Sequence, residues 1–166
     1  MVKATDLPPA SQVAANSTVV APGTWGIVQR PDLPVTYAVK ATAIQHGKPG
    51  ELGDVRVLNG YTDLSTATPY YISFDYVVLA GNKNESPIRQ LTAIGTTDVD
   101  KIITLSISND LYKCDPPADK VVSPPDTGYV LQGCVVAVAA AGTEPTFLRY
   151  YELKGSKDVR FPIPAG

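Results

Sequence analysis

From Tyr70 to Val78 every second residue is large and apolar: Tyr70, Ile72, Phe74, Tyr76 and Val78. Side chains repeating at that period share one face of an extended strand, whereas a helix would scatter them around its axis. Tyr71, Ser73, Asp75 and Val77 alternate with them on the opposite face. Pro69 opens the run, at a position where a strand tolerates a missing amide donor. A wall of five such residues needs a second layer to cover it, so the chain has to be built from sheets.

Period two recurs elsewhere. Between Val35 and Ile44 it places Val35, Tyr37, Val39, Ala41 and Ala43 on one face and Thr36, Lys40 and Thr42 on the other. Trp25 to Arg30 predicts an earlier strand, stopped by Pro31 and Pro34. Ile88–Thr96, Lys101–Ser108, Tyr129–Ala141, Phe147–Leu153 and Asp158–Ile163 predict the remainder. Around Cys134 both faces are apolar, which marks a strand central in its sheet or covered by a second layer. Residues 51–58 are ambiguous: Leu52, Val55 and Leu58 have helical spacing, and a loop with one helical turn is expected there. The 15 prolines are spread along the chain, so the segments between turns must be short. These features predict an all-β domain, an immunoglobulin-like β-sandwich with one disulfide. A β-barrel is the alternative; its strands would be longer and more even. Residues 1–22 are small, polar or proline-rich without a period and read as a flexible N-terminal linker, leaving 23–166 as a single β-sandwich domain.

Cys114 and Cys134 are the two cysteines, 20 positions apart, and they bracket a proline-rich connection. A disulfide between them, joining two stacked sheets, is expected to staple the fold and implies an oxidising compartment. The alternatives are two buried thiols or a metal site, and two cysteines with one histidine do not complete tetrahedral zinc without carboxylates. No run of apolar residues is long enough for a spanning helix. The residues before Leu7 hold no apolar export signal, so a signal removed ahead of Met1 is expected, with a lipid-attachment cysteine upstream as a further option.

Charged residues make up 18% of the chain and the net charge is −2, so nothing draws a phosphate backbone, and nucleic acid is not an expected partner. His46 is the single histidine and lies in the turn Gln45-His46-Gly47-Lys48-Pro49. It reads as a solvated loop residue, since no nucleophile elbow accompanies it. Asp98 and Asp100 read as a hairpin turn, not as a calcium loop, and Asp115, Asp119 and Asp126 as loop acids. Gly47, Gly50 and Gly53 read as turn glycines. No catalytic residue, cofactor or metal ligand is assigned. The nine tyrosines are more informative. Tyr70-Tyr71 and Tyr150-Tyr151 are adjacent pairs in strands, so each pair sends one ring to each face. Tyr71 and one of Tyr150 and Tyr151 are expected at the surface, where tyrosine buries area at low entropic cost; ordinary packing on a sheet face is the competing explanation.

The strand Thr68-Pro69-Tyr70-Tyr71-Ile72-Ser73-Phe74 resembles one found in small exported proteins and lipoproteins of actinobacteria. In those proteins too a cysteine lies downstream, a proline and glycine loop follows, a second cysteine opens a strand like Cys134-Val135-Val136, and a strand like Arg149-Tyr150-Tyr151 comes next. The overlap covers roughly residues 35–163; Leu79-Ala80-Gly81-Asn82 departs from the Asn-Thr-Gly often found after the tyrosine strand. The resemblance, which extends to small secreted mycobacterial antigens, implies an immunoglobulin-like sandwich and a cell-surface or extracellular address, and implies no catalytic residue.

The expected function is that of a non-enzymatic extracytoplasmic domain, secreted or lipid-anchored, binding a protein or cell-envelope component through an exposed sheet face or loop, with Tyr71, Tyr150 and Tyr151 as candidate surface residues. A secreted protease inhibitor acting through the disulfide-anchored loop 115–133 is the alternative, because a rigid loop docks at low entropic cost. A structural spacer is the third.

Overall fold

The computed structural model describes residues 1–53, 64–96, 102–105, 114, 123–139, 143–152 and 157–165. Among the described residues nine strands form two sheets: β1 (Thr18–Val19), β2 (Gly26–Gln29), β3 (Thr36–His46), β4 (Thr68–Ala80), β5 (Leu91–Ile94), β6 (Ile102–Leu105), β7 (Val130–Ala139), β8 (Phe147–Glu152) and β9 (Lys157–Pro162). A five-stranded antiparallel sheet runs β2-β3-β4-β7-β6, and a four-stranded sheet runs β1-β9-β8-β5 with β1 parallel to β9. The β-sandwich expected from the alternation is what forms. A short 3₁₀ turn, Ile88–Gln90, occupies the start of the segment expected to be wholly strand. Among the described residues no helix is long and apolar enough to cross a membrane.

The core lies between the sheets. Tyr37, Val39 and Ala41 from β3, Tyr70, Ile72, Phe74 and Val78 from β4, and Val135, Ala137 and Ala139 from β7 face Leu91, Ala93, Leu148, Tyr150, Val159 and Phe161 from the smaller sheet. The wall read from β4 is therefore real. On β3 the period breaks at a bulge between Ala41 and Ala43. The extra residue turns Ala43 outward and puts Ile44 into the core, which corrects the expected placement of Ala43.

The five-stranded sheet is covered on its outer side as well. At one end Leu52 and Leu64 pack with Tyr71, Leu105, Val136 and Val138, and the disulfide sits among them. At the other end Ala4, Leu7 and Val13 pack over Trp25, Ile27, Ala38 and Val77. The stretch 1–22 is thus not a free linker in its described conformation. Ala14 N–H donates to Ile27 at 2.8 Å, Val130 N–H to Val2 at 2.8 Å, and Val20 is buried. Composition alone hid this, because three spaced apolar anchors and backbone hydrogen bonds, with no repeating pattern, hold it.

Cys114 and Cys134 are bonded, with Cα atoms 5.2 Å apart, inside the ordinary disulfide range. The bridge lies on the outer side of β7 and does not join the two sheets, which corrects the expected staple across the layers. Residues 51–53 form a turn; the remainder of the ambiguous 51–58 lies outside the described residues, as do 97–100 with Asp98 and Asp100.

Four tyrosines packed into this scaffold set its response to alkali. Burial pushes the hydroxyls of Tyr37, Tyr70, Tyr76 and Tyr150 above the ordinary tyrosine range; the Glu152 charge adds to the rise at Tyr150. An unfolded tyrosine ionises near pH ~10. The folded state holds its protons longer, so the stability these rings contribute is complete below pH ~10 and is lost as the pH rises toward their folded values. The expected loss is roughly 1 kcal/mol per pH unit for each fully buried ring. Urea midpoints measured from pH 8 to 12 should fall steeply above 10, and a flat profile would contradict this burial.

Candidate functional site

Of the four sheet faces, two form the core and a third is covered by Leu7, Val13, Leu52 and Leu64. Among the described residues, the outer face of the four-stranded sheet carries no such apolar cover. Its pairing sets Thr92, Arg149, Arg160 and Val19 side by side in one row across β5, β8, β9 and β1, with Tyr151 opposite Asp158 in a neighbouring row.

Two arginines directly opposite one another repel. Asp158 resolves this: its carboxylate accepts from Arg149 Nη2 at 2.9 Å and from Arg160 Nε at 3.4 Å. Burial opposes the charged form of Asp158, but the two arginines outweigh it and hold the carboxyl below its usual range. Arg149 also stacks on the Tyr151 ring, 4.3 Å from its centroid, a cation–π arrangement that favours this mutual orientation. The Arg149 Nε is buried without an acceptor among the described residues. Tyr151 is 40% exposed and Val19 57% exposed. The face therefore offers two guanidinium groups, one internal carboxylate, a part-exposed aromatic ring and an apolar edge.

The expected tyrosines separate. Tyr151 lies on this exposed face. Tyr150 is fully buried in the core, as the alternate member of its pair. Tyr71 is 3% exposed, against expectation. It does point away from the core, but Leu52 and Leu64 cover it, and its hydroxyl donates to Glu51 Oε2 at 2.6 Å. Alternation assigns a side chain to a face; it does not say what a distant segment lays over that face. Arg149, Asp158 and Arg160 were not singled out from the sequence, although Arg149 stands two residues before Tyr151 and so had to share its face.

Tyr150 leads to a second polar group at one end of the sandwich. Its hydroxyl donates to Glu152 Oε1 at 3.2 Å. The Arg30 guanidinium lies 3.9 Å from that carboxylate, 3.7 Å from Glu85, and makes a two-pronged contact with Asp32 at 3.3 and 3.1 Å. The Asp32 hydrogen bond raises the Arg30 pKa, and Arg30 in turn lowers that of Asp32. A cleft of about 460 Å³ opens beside Arg30, lined also by Val13, Gln29, Asp32 and Lys157. Its cations are already engaged: Arg30 faces three carboxylates, and Lys157 donates to the Ala14 carbonyl at 2.9 Å. This constellation locks the end of the sandwich and leaves little to offer a ligand.

His46 ends β3, half exposed, with Nε2 2.6 Å from Glu144 Oε1 and its ring edge-on to Tyr70. Its partner is a carboxylate and not a nucleophile. Asp126 accepts from the Thr127 amide at 2.8 Å, a turn contact, while Asp115 and Asp119 lie outside the described residues. Gly50 adopts φ 75° in a turn, as its expected role requires. No group of three metal-ligating side chains occurs among the described residues. Of the loop 115–133, residues 130–133 belong to β7, and the Pro125 carbonyl accepts from Lys83 Nζ at 3.0 Å; residues 115–122 are not described.

Compared with known proteins, the chain matches no family model, no curated protein and no solved structure. The class defined by fold and site is thus an all-β sandwich with one disulfide and, among the described residues, one sheet face without an apolar cover. The resemblance to actinobacterial exported proteins gains no support from these comparisons.

Proposed function

We propose that this protein is a non-enzymatic extracytoplasmic binding domain that engages a protein or cell-envelope component through the outer face of its four-stranded sheet. The observation that supports it most is the stacked pair of Arg149 and the part-exposed Tyr151 on that face. A strand surface with a stacked guanidinium suits a partner presenting a carboxylate or phosphate beside an apolar group. The disulfide supports an address outside the reducing cytoplasm.

Tyr151→Ser removes the exposed ring, and Arg149→Gln removes the charge together with its half-buried contact to Asp158. Immobilised wild-type protein is expected to retain a component of a detergent-solubilised envelope fraction, and each substitution to lower that retention at least tenfold, Tyr151→Ser with thermal stability nearly unchanged and Arg149→Gln with a modest loss from the broken Asp158 contact. Equal retention by all three proteins would remove this face from the function.

A further inference from the structure

Residues 1–14 lie on the outer side of the five-stranded sheet as a strap that never becomes a strand of it. Lys3 pairs with Tyr129 and Val13 with Ile27 as isolated bridges. Between them run Pro8 and Pro9, whose missing amides prevent a continuous ladder. Side chains supply the rest. Ala4, Leu7 and Val13 fill the apolar groove formed by Trp25, Ile27, Ala38 and Val77, and the Asp6 carboxylate accepts from Trp25 Nε1 at 3.3 Å. Lys40 Nζ lies 4.4 Å from the centre of the Trp25 ring. The groove thus has an aromatic anchor with an indole donor and a nearby cation, and its occupant is an extended segment bearing an acid beside a leucine.

The strap ends in a sharp corner. Ser17 adopts φ 63°, the one non-glycine residue with positive φ among those described. The corner is held by Ser17 N–H donating to the Asp158 carbonyl at 2.8 Å and by Asn16 Oδ1 accepting from the Asp158 amide at 2.9 Å. Beyond it Thr18 and Val19 pair with β9 and Val20 enters the core, so the chain is anchored from that point on.

We propose that this strap is exchangeable, and that the groove accepts residues 1–14 of a second copy of this chain, giving a two-fold symmetric dimer by reciprocal exchange. The groove already fits this sequence, and each strap contact closed within one molecule can be remade between two. What differs is the corner. Straightening it releases the left-handed Ser17 and gives up the two hydrogen bonds with Asp158 to water, so the corner contributes little either way and the remade strap contacts decide the balance. A segment held by two isolated bridges opens locally far more often than the core strands do. No other occupant has its chemistry written into the same molecule.

The test uses the full chain. Lys3 and Tyr129 are flanked by the hydrogen bonds Ala4 N–H to Gly128 and Val130 N–H to Val2, so they face each other as a non-hydrogen-bonded pair. Such a pair has Cα atoms about 4.5 Å apart, within disulfide range. Lys3→Cys/Tyr129→Cys, with the added bridge confirmed by peptide mapping, therefore locks the strap in its own molecule. After a pulse of mild denaturant at high concentration, size exclusion with light scattering should show a dimer for wild type and only monomer for the locked protein. Asp6→Ala loses the same contact in both states, so it should leave the dimer fraction unchanged and speed exchange between differently tagged chains severalfold. Trp25, the single tryptophan, reports opening through fluorescence quenching by acrylamide. A dimer from the locked protein, or wild type that remains monomeric throughout, would overturn the proposal.

Discussion

Replacing Phe74 by alanine is expected to cost about 3–5 kcal/mol, the largest effect of any single substitution considered for this chain. Phe74 is fully buried in the middle of β4 and stacks obliquely on Tyr76, ring centres 6.0 Å apart. Its ring also lies over Gly133, its register partner on β7, in the space a side chain there would need. Gly133→Ala alone should therefore cost about 1–3 kcal/mol, because a close-packed interior gives the ring nowhere to move. With Phe74 already truncated, the added methyl enters vacated space. The double variant should thus be more stable than the sum of the two single losses predicts, with a coupling on the order of 1–3 kcal/mol by urea unfolding. Additive losses would mean that the ring does not rest on the glycine.

The second large effect concerns Cys114–Cys134. Cys114→Ala/Cys134→Ala opens a loop of about twenty residues, worth roughly 3 kcal/mol in the chain-entropy account, against a typical total of about 5–15 kcal/mol. For a chain of this length the melting temperature should fall by roughly 10 °C. The bridge packs with Leu52, Leu64, Tyr71, Leu105, Val136 and Val138, so the damage should begin there. Hydrogen exchange of the Tyr71 and Val136 amides should rise before that of Val39 and Leu148, which lie in the core between the sheets. Unchanged melting in the double variant would show that the covalent link adds nothing to the fold.

Much of this architecture was legible because strand chemistry is local. The alternation from Tyr70 to Val78 names the inward face of β4, and the turn glycines and prolines mark where strands stop. Three features were out of reach for the same reason. Ala43 and Ile44 exchange sides because one extra residue in β3 is accommodated only once β4 is beside it. Tyr71 is covered by Leu52 and Leu64, and no periodicity within its own strand can report that. The disulfide partners followed from counting, yet their position on the outer side of β7 did not, because Cys134 sits in a strand apolar on both sides. The candidate face was half legible. Tyr151 and Arg149 share a face by spacing alone, but the row linking Thr92, Arg149, Arg160 and Val19 depends on a register among four strands that only the folded chain sets.

The isolated bridge between Val13 and Ile27 has a consequence for colloidal behaviour. β2 is an outermost strand of the larger sheet, and a naked rim of that kind invites stacking of molecules into cross-β aggregates. Here the Ile27 carbonyl is already satisfied by the Ala14 amide, and Pro31 follows closely on Gln29, the last residue of the strand. Proteolytic trimming of the first fourteen residues would uncover that rim together with Trp25 and Ile27, and fibril-type association would then compete with the native state.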